Sequence, residues 1–416
     1  MSDNTHKDSD YTFEKVPSSA RKGFFVVFFI LLGFTFFSGS MSVGAKLANS
    51  LDLKTFCISV LAGGIILSAY TGVLAYIGAH TGLSFDLLAK RAFGSMGSLL
   101  PSSLIALTQA GWFGVGLAML ACAAADVIGC DRWLIVAIAG VCMTATAYFG
   151  IKGMEIVSFI SVPLIFFLGV FSVYSSLAAG GGMEGIFEGH VNNITVAQGI
   201  ALVIGSFVSG GTSTPNFTRF CKNGKSAVVS TVAAFFIGNS LMFIFGAVGG
   251  AFTGRDDIFY VMMSQGLTIP ALIVLGTNIW TTNNNGLYSS ALGFSNLTKV
   301  PKRPMVIVAG AVGTVASLWL YENFVSWLSI LSASMPPIGA VLMTDYFLNR
   351  SHYKDGYEPD NAPKINVGSV AGIIVGVLVG VLVDKIGIAT LNSVLAACIC
   401  YVVFNCRKIF GNMLAK

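Results

Sequence analysis

Apolar residues run along this chain in blocks of about twenty, each closed by a short polar or charged stretch. Twelve blocks can be read: 23–46, 54–80, 97–125, 132–149, 154–178, 195–219, 225–252, 266–296, 304–321, 324–347, 366–383 and 387–406. A helix of roughly 20 apolar residues crosses the hydrocarbon core of a bilayer and satisfies its own backbone polar groups. No block alternates with the period of two that a membrane β-strand needs. The pattern therefore predicts an all-α membrane protein with twelve transmembrane helices. Residues 1–22 form a polar tail of mixed charge, without the short apolar core and cleavage site of a signal peptide, so the first block is expected to be a retained span. The connection 349–365 is the longest between blocks, and 407–416 form a C-terminal tail.

Composition removes the soluble alternative. The chain is 55% hydrophobic and 10% charged, against about 25% charged in soluble proteins, and its mean hydropathy is +0.78. Charge then orients the spans. With residue 1 in the cytoplasm, only Lys46, Lys54, Arg132, Arg255 and Lys385 of the 24 lysines and arginines fall outside, and the other 19 face inward. That is the positive-inside pattern, and it predicts two cytoplasmic termini. The net charge of +5 thus reports orientation and implies no nucleic acid. Cys57, Cys122, Cys142, Cys398 and Cys400 lie inside spans without metal-ligand spacing and read as small buried hydrophobes.

Ionisable groups inside a membrane are costly and usually functional, yet here the spans nearly lack them. Asp86, Glu155 and Asp345 sit at span ends, and the four histidines lie outside the spans or at the end of one. This argues against a proton relay at mid-membrane and against a strongly charged substrate. A neutral polar substrate fits better.

Two spans carry small and polar residues at their centres. "GSFVSGGTSTPNFTRF", Gly205 to Phe220, contains Gly210, Gly211 and Pro215, which predict a break there; "GFTFFSGSMSVGA", Gly33 to Ala45, is its counterpart in the first span. Broken helices at matching positions of two halves point to an inverted-repeat transporter with its site at the midplane. In span 8, Asn278, Thr281, Thr282 and Asn285 share one helix face, where neutral oxygens suit a small monovalent cation rather than a divalent one. Such residues serve helix–helix hydrogen bonds equally well. Gln109 and Trp112 share a face of span 3, and a Trp this far from the interface belts is more commonly a packing residue.

"TSTPNFTRF", "TQAGWFGVG" and "TNIWTTNNN" together resemble the nucleobase–cation–symport-1 family, nearest its bacterial cytosine-transporting branch, over essentially the whole chain. Asn216 departs from the pattern, since many relatives carry an acidic residue there. The resemblance implies a LeuT-like, five-plus-five inverted repeat, with helices 1 and 6 broken. The repeats would be 23–178 and 195–348, followed by two extra C-terminal helices within 366–406. It further implies that Trp112 and Phe207 sandwich a flat heterocycle whose edge Gln109 hydrogen-bonds. Ser206 and Ser209 would offer polar groups beside the break, and Asn283 or Asn284 would face the ligand from span 8. Sodium would lie between the carbonyls of Gly33, Phe36 and Asn278 and the hydroxyls of Thr281 and Thr282.

The implied activity is sodium-coupled cytosine import by alternating access. It would take place in a bacterial inner (plasma) membrane, in a monomer whose partners are the small molecule and the lipid. Rival readings are proton coupling, or another substrate such as uracil, a purine, hydantoin or allantoin. An intramembrane serine hydrolase using Ser206 or Ser209 lacks a mid-span histidine or lysine base. The chain is not expected to be an enzyme or to need a cofactor beyond the coupling ion.

Overall fold

A computed structural model describes residues 11–149, 151–354, 363–383 and 386–414. The first ten residues, residues 355–362 of the 349–365 connection, and the counted charges Lys385 and Lys416 lie outside them. Regular structure among the described residues is helical, apart from one bridging pair, Lys22 and Cys221. In chain order come α1 (Phe24–Thr35), α2 (Ser38–Ser50), α3 (Leu53–Thr81), α4 (Phe85–Phe93), α5 (Leu99–Ile128), α6 (Arg132–Ala147), α7 (Ile151–Ala179) and the short α8 (Gly182–Ile186). Next are α9 (Val196–Gly205), α10 (Val208–Thr212), α11 (Pro215–Thr218) and α12 (Gly224–Ala233), which runs through a π turn into α13 (Asn239–Thr253). The chain ends with α14 (Ile258–Ser264), α15 (Thr268–Thr298), α16 (Lys302–Glu322), α17 (Phe324–Ser334), α18 (Pro336–Leu348), α19 (Val367–Leu382) and α20 (Ala389–Leu414).

Among the described residues, seven helices are long and apolar enough to cross a membrane, or up to nine if each bent pair counts as one span. Two shorter apolar helices, α6 and α19, accompany them. Helix α15 is long but polar at its centre, and residues 281–293 are buried without interruption, so its threonines and asparagines face protein rather than lipid. The α5 span is likewise interior, 78% buried, whereas the Ala389–Cys406 part of α20 is only 22% buried and lies at the periphery. The site is therefore carried by α5, α15 and the two bent pairs.

The bends occur where backbone hydrogen bonding is interrupted. The α1–α2 pair turns by 47° and the α9–α10–α11 run by 54°. The second break, however, is at Ser206–Phe207, not at Gly210–Gly211. Phe207 leaves the helical region (φ −135°, ψ 1°) and Gly210 and Gly211 sit inside the helical turn of α10, with negative φ. These glycines provide closeness: a Cβ on Gly210 would lie 2.9 Å from Phe34 Cζ and from Phe207 Cε1, and one on Gly211 2.7 Å from Thr71 Cγ2. Pro215 opens α11, a first-turn position where its missing N–H leaves nothing unpaired.

Small residues also set how α2 meets α13. A Cβ on Gly246 would stand 1.8 Å from Met41 O, and one on Gly44 2.2 Å from Phe243 O, so the two backbones touch as in close-packed membrane helices. Gly246→Ala is expected to cost at least about 1–3 kcal/mol through overpacking, read as a lower melting temperature in detergent. An unchanged melting temperature would mean that the two helices separate freely.

Arg219 and Lys302, counted among the inward charges, are buried, at 0% and 1% exposed. Arg219 donates to Tyr288 Oη at 2.9 Å, to Tyr11 O at 2.9 Å and to Asn216 O at 3.3 Å, and Lys302 Nζ lies 4.8 Å from the centre of the Tyr288 ring. The N-terminal segment covers this end of the bundle: Val16 N donates to Gly82 O (2.9 Å), Lys22 N to Phe220 O (2.6 Å) and Arg21 Nη1 to Ala79 O (2.8 Å).

Candidate substrate and ion sites

A small cavity lies where the two bends meet α5 and α15. Phe34 and Phe37 line it from the first bent pair, Gln109, Trp112 and Phe113 from α5, Ser206, Phe207, Ser209 and Gly210 from the second pair, and Thr282, Asn283 and Gly286 from α15. It has about 20 Å³ of room, enough for about one water molecule and too little for a base. The aromatic walls are closed on one another. Phe37 stands edge-on to Trp112 (5.7 Å) and to Phe207 (6.4 Å), and Phe34 is edge-on to Phe207 (5.0 Å). A flat ligand between Trp112 and Phe207 must therefore move Phe37, a residue the sequence reading missed although it sits in the quoted "GFTFFSGS".

Polar groups enter this apolar cavity already oriented. Ser209 Oγ accepts from Trp112 Nε1 (3.0 Å) and from Gln109 Nε2 (3.3 Å). With both lone pairs engaged, the hydroxyl hydrogen of Ser209 is what it has left to offer a ligand acceptor. Gln109 keeps Oε1, which faces the Cβ-less side of Gly286. Ser206 donates its hydroxyl back to Val203 O at 2.8 Å. Asn283 Nδ2 donates to Phe113 O (3.2 Å) and reaches Met143 Sδ (3.3 Å). The paired alternatives on α15 thus separate: Asn283 lines the cavity, while Asn284 accepts from Thr146 Oγ1 of α6 at 3.0 Å and lies away from it.

The residues expected to hold sodium gather beside the first bend. Thr282 Oγ1 is 3.4 Å from Gly33 O and 3.5 Å from Phe34 O. Asn278 accepts from Ser38 N and Ser38 Oγ, both at 2.9 Å, which fixes its amide so that Nδ2 points to Phe36 O. Thr281 Oγ1 pairs with Ser161 Oγ of α7 at 2.6 Å. Ser158 Oγ, buried close to Gly33, has no partner. Neither serine was foreseen; both belong to an apolar run whose facing helix the sequence leaves open. The donors are neutral oxygens, and among the described residues no group of three His, Cys, Asp or Glu is placed to hold a metal. The set fits an alkali cation better than a divalent one.

On the side away from the N-terminal segment, Phe324 packs edge-on against Trp112 at 5.9 Å. Beyond it opens a cavity of about 230 Å³ lined by Lys46, Asp256, Asp257 and Tyr321 among others. Phe324 thus stands between the central cavity and this second one.

Comparison with known proteins is decisive about the family. The family described as "Permease for cytosine/purines, uracil, thiamine, allantoin" matches residues 15–404. The chain belongs to this permease family. The permease is 44% identical over 402 residues to the cytosine permease of Escherichia coli (strain K12), covering 96% of this chain and 95% of that one. It is 22% identical over 344 residues to the hydantoin permease of Microbacterium maritypicum, covering 73% and 68%. Its fold matches Mhp1, a nucleobase-cation-symport-1 family transporter solved closed with bromovinylhydantoin bound, with a TM-score of 0.82 at 19% identity over 96% and 95% of the chains. A Na+-coupled sialic acid symporter shares the fold at 0.72 and 14% identity, over 96% and 92%. Family and relatives alike are transporters, so this is a membrane permease for nucleobase-like compounds and not an enzyme.

Proposed function

We propose that this permease imports cytosine across the bacterial plasma membrane by sodium-coupled alternating access. The observation that carries the reading is the neutral cavity between two bent helices, with Trp112 and Phe207 at its walls and Gln109 and Ser209 at its polar edge. The 44% identity to a cytosine permease along the whole chain supports the choice of base. The bent pairs, with α6, α15 and α19 added to the apolar spans, make twelve crossings: repeats at 23–178 and 195–348, then two extra helices. The Lys and Arg distribution places the N-terminal end in the cytoplasm.

In this reading, Trp112 and Phe207 stack on the faces of the ring, Ser209 donates to its oxygen or ring nitrogen, and Gln109 Oε1 accepts from its amino group. Gly33, Phe36, Asn278, Thr281 and Thr282 hold the ion, which ties α1 to α15 and so favours the arrangement that binds the base. One positive charge moving inward through about 100 mV gains about 2.3 kcal/mol, which supports roughly 50-fold accumulation of a neutral base.

Equilibrium binding of labelled cytosine and uracil, with and without sodium, tests the whole. Cytosine should bind more tightly than uracil, and sodium should tighten it. Thr281→Ala and Thr282→Ala should each raise the sodium concentration needed for half-maximal uptake while the protein still folds. Uptake indifferent to sodium but abolished by a protonophore would overturn the ion assignment.

A further inference from the structure

Asp86 is the second residue of α4, in the connection between α3 and α5 and outside the spans. It is 4% exposed, and neither carboxylate oxygen makes a hydrogen bond of ordinary geometry, although the Ser102 hydroxyl is close enough to act on it. An ionised carboxylate buried in this way is costly, and such a group keeps its proton or finds water or a counter-charge instead. The environment is part of the end that must open toward the cytoplasm. Phe85 N donates to Asn216 Oδ1 of α11 at 2.9 Å, pinning α4 to the end of the broken helix, and Asn216 Nδ2 is itself buried without a partner. Most of the charge around Asp86 is positive: Lys90 on its own helix and Arg219 at the end of α11. At the end of α15 Lys299 Nζ donates to Asn296 O at 2.7 Å, and at the start of α16 Lys302 Nζ lies over the Tyr288 ring. From α5 and α15 come neutral groups, with Asn296 Nδ2 donating to Ser102 Oγ (2.8 Å) and Ser98 Oγ (3.3 Å). On α18 and the turn after it, Asp345 is bonded by Tyr353 Oη at 2.5 Å, and the His352 carbonyl accepts from Arg91; α19 meets α4 through Asn366.

We infer that Asp86 is a proton-binding site of the cytoplasmic gate: protonated, it lets α4 lie against the broken helix and keeps the gate shut; ionised, it favours the opened, hydrated gate. The inference rests on the alternating-access reading above. Burial pushes the carboxyl up to about 6, and the Ser102 hydroxyl with the charges of Lys90 and Arg219 offsets only part of this. In an opened gate the group returns toward the ordinary value of about 3.9. The closed gate thus binds the proton more tightly, so acid stabilises it. Closure weakens as pH rises from about 4 to about 6, then levels off once the carboxyl is ionised in both states.

Cys221 supplies a native reporter. It is 1% exposed beneath the N-terminal segment and should react with a small maleimide only when this end opens. Wild type and Asp86→Asn would be alkylated at pH 5, 6 and 7, and the modification of each cysteine read by mass spectrometry. The titration of the thiol is common to both proteins and cancels in their ratio. The wild-type to Asp86→Asn ratio at Cys221 should rise about tenfold from pH 5 to pH 7. Should the variant not fold, the ratio of Cys221 to the partly exposed Cys130 in wild type carries the same expectation. A ratio flat with pH overturns the inference. Cytosine binding by the unmodified protein is measured alongside, and its absence would instead sink the transport reading.

Discussion

Trp112→Ala is expected to weaken cytosine and uracil together, by roughly 5- to 150-fold, leaving their ratio nearly unchanged. The magnitude follows from base–aromatic stacking of about 1–3 kcal/mol per contact, at about 1.4 kcal/mol per decade. The indifference to base follows because every base has a π-face, so stacking holds without choosing. Choice falls to the edge, where Gln109 presents Oε1 and Ser209 its remaining hydrogen. Gln109→Ala should therefore erode the preference for cytosine over uracil by about one to two decades, the cost of leaving a buried polar group unpaired being about 1–3 kcal/mol. Trp112→Phe separates the two jobs of the indole: it keeps a ring but drops the bond to Ser209, and should lose some selectivity as well as affinity. Titrating both bases against each variant decides the matter. If Trp112→Ala alters selectivity and barely touches affinity, the sandwich is wrong.

Gly210→Ala should lower cytosine affinity by roughly 5- to 150-fold, with the helices kept and the melting temperature lowered. The added methyl meets Phe34 and Phe207 at 2.9 Å, and crowding of this kind costs about 1–3 kcal/mol. Here the cost falls on the wall that must part for a ligand. Gly211→Ala points elsewhere, at the Thr71 methyl group 2.7 Å away, and should reduce stability with affinity kept. The pair of variants discriminates between explanations. Loss of binding in Gly211→Ala with Gly210→Ala unaffected would mean that helical continuity, not ring crowding, governs the site.

Much of this arrangement was legible because membrane burial is a blunt constraint. An apolar block has few alternatives to a helix, and small polar residues at its centre need an explanation. The bends fall in the expected pair of helices for that reason. Their positions were less legible. A glycine pair reads the same whether the chain turns there or another ring presses close, and Gly210 and Gly211 do the second. Asn283 and Asn284 could not be told apart, since neighbours on a helix differ by about 100° and the packing of α15 against α5 and α6 sets which one meets the cavity. The burial of Arg219 and Lys302 was not legible because cations at the ends of apolar blocks usually reach water. Only the fold brings Tyr288 and the N-terminal segment over them. Ser158 and Ser161 carried no signal, lying on a helix whose neighbours the sequence does not name.

The small size of the central cavity has a consequence for the resting cell. With about 20 Å³ of room, held between Phe37, Trp112 and Phe207, this conformation has no space for a file of waters through its middle. Protons hop along such files and small ions follow them. A permease packed this closely at its centre can be present in quantity and leave the membrane potential undiminished.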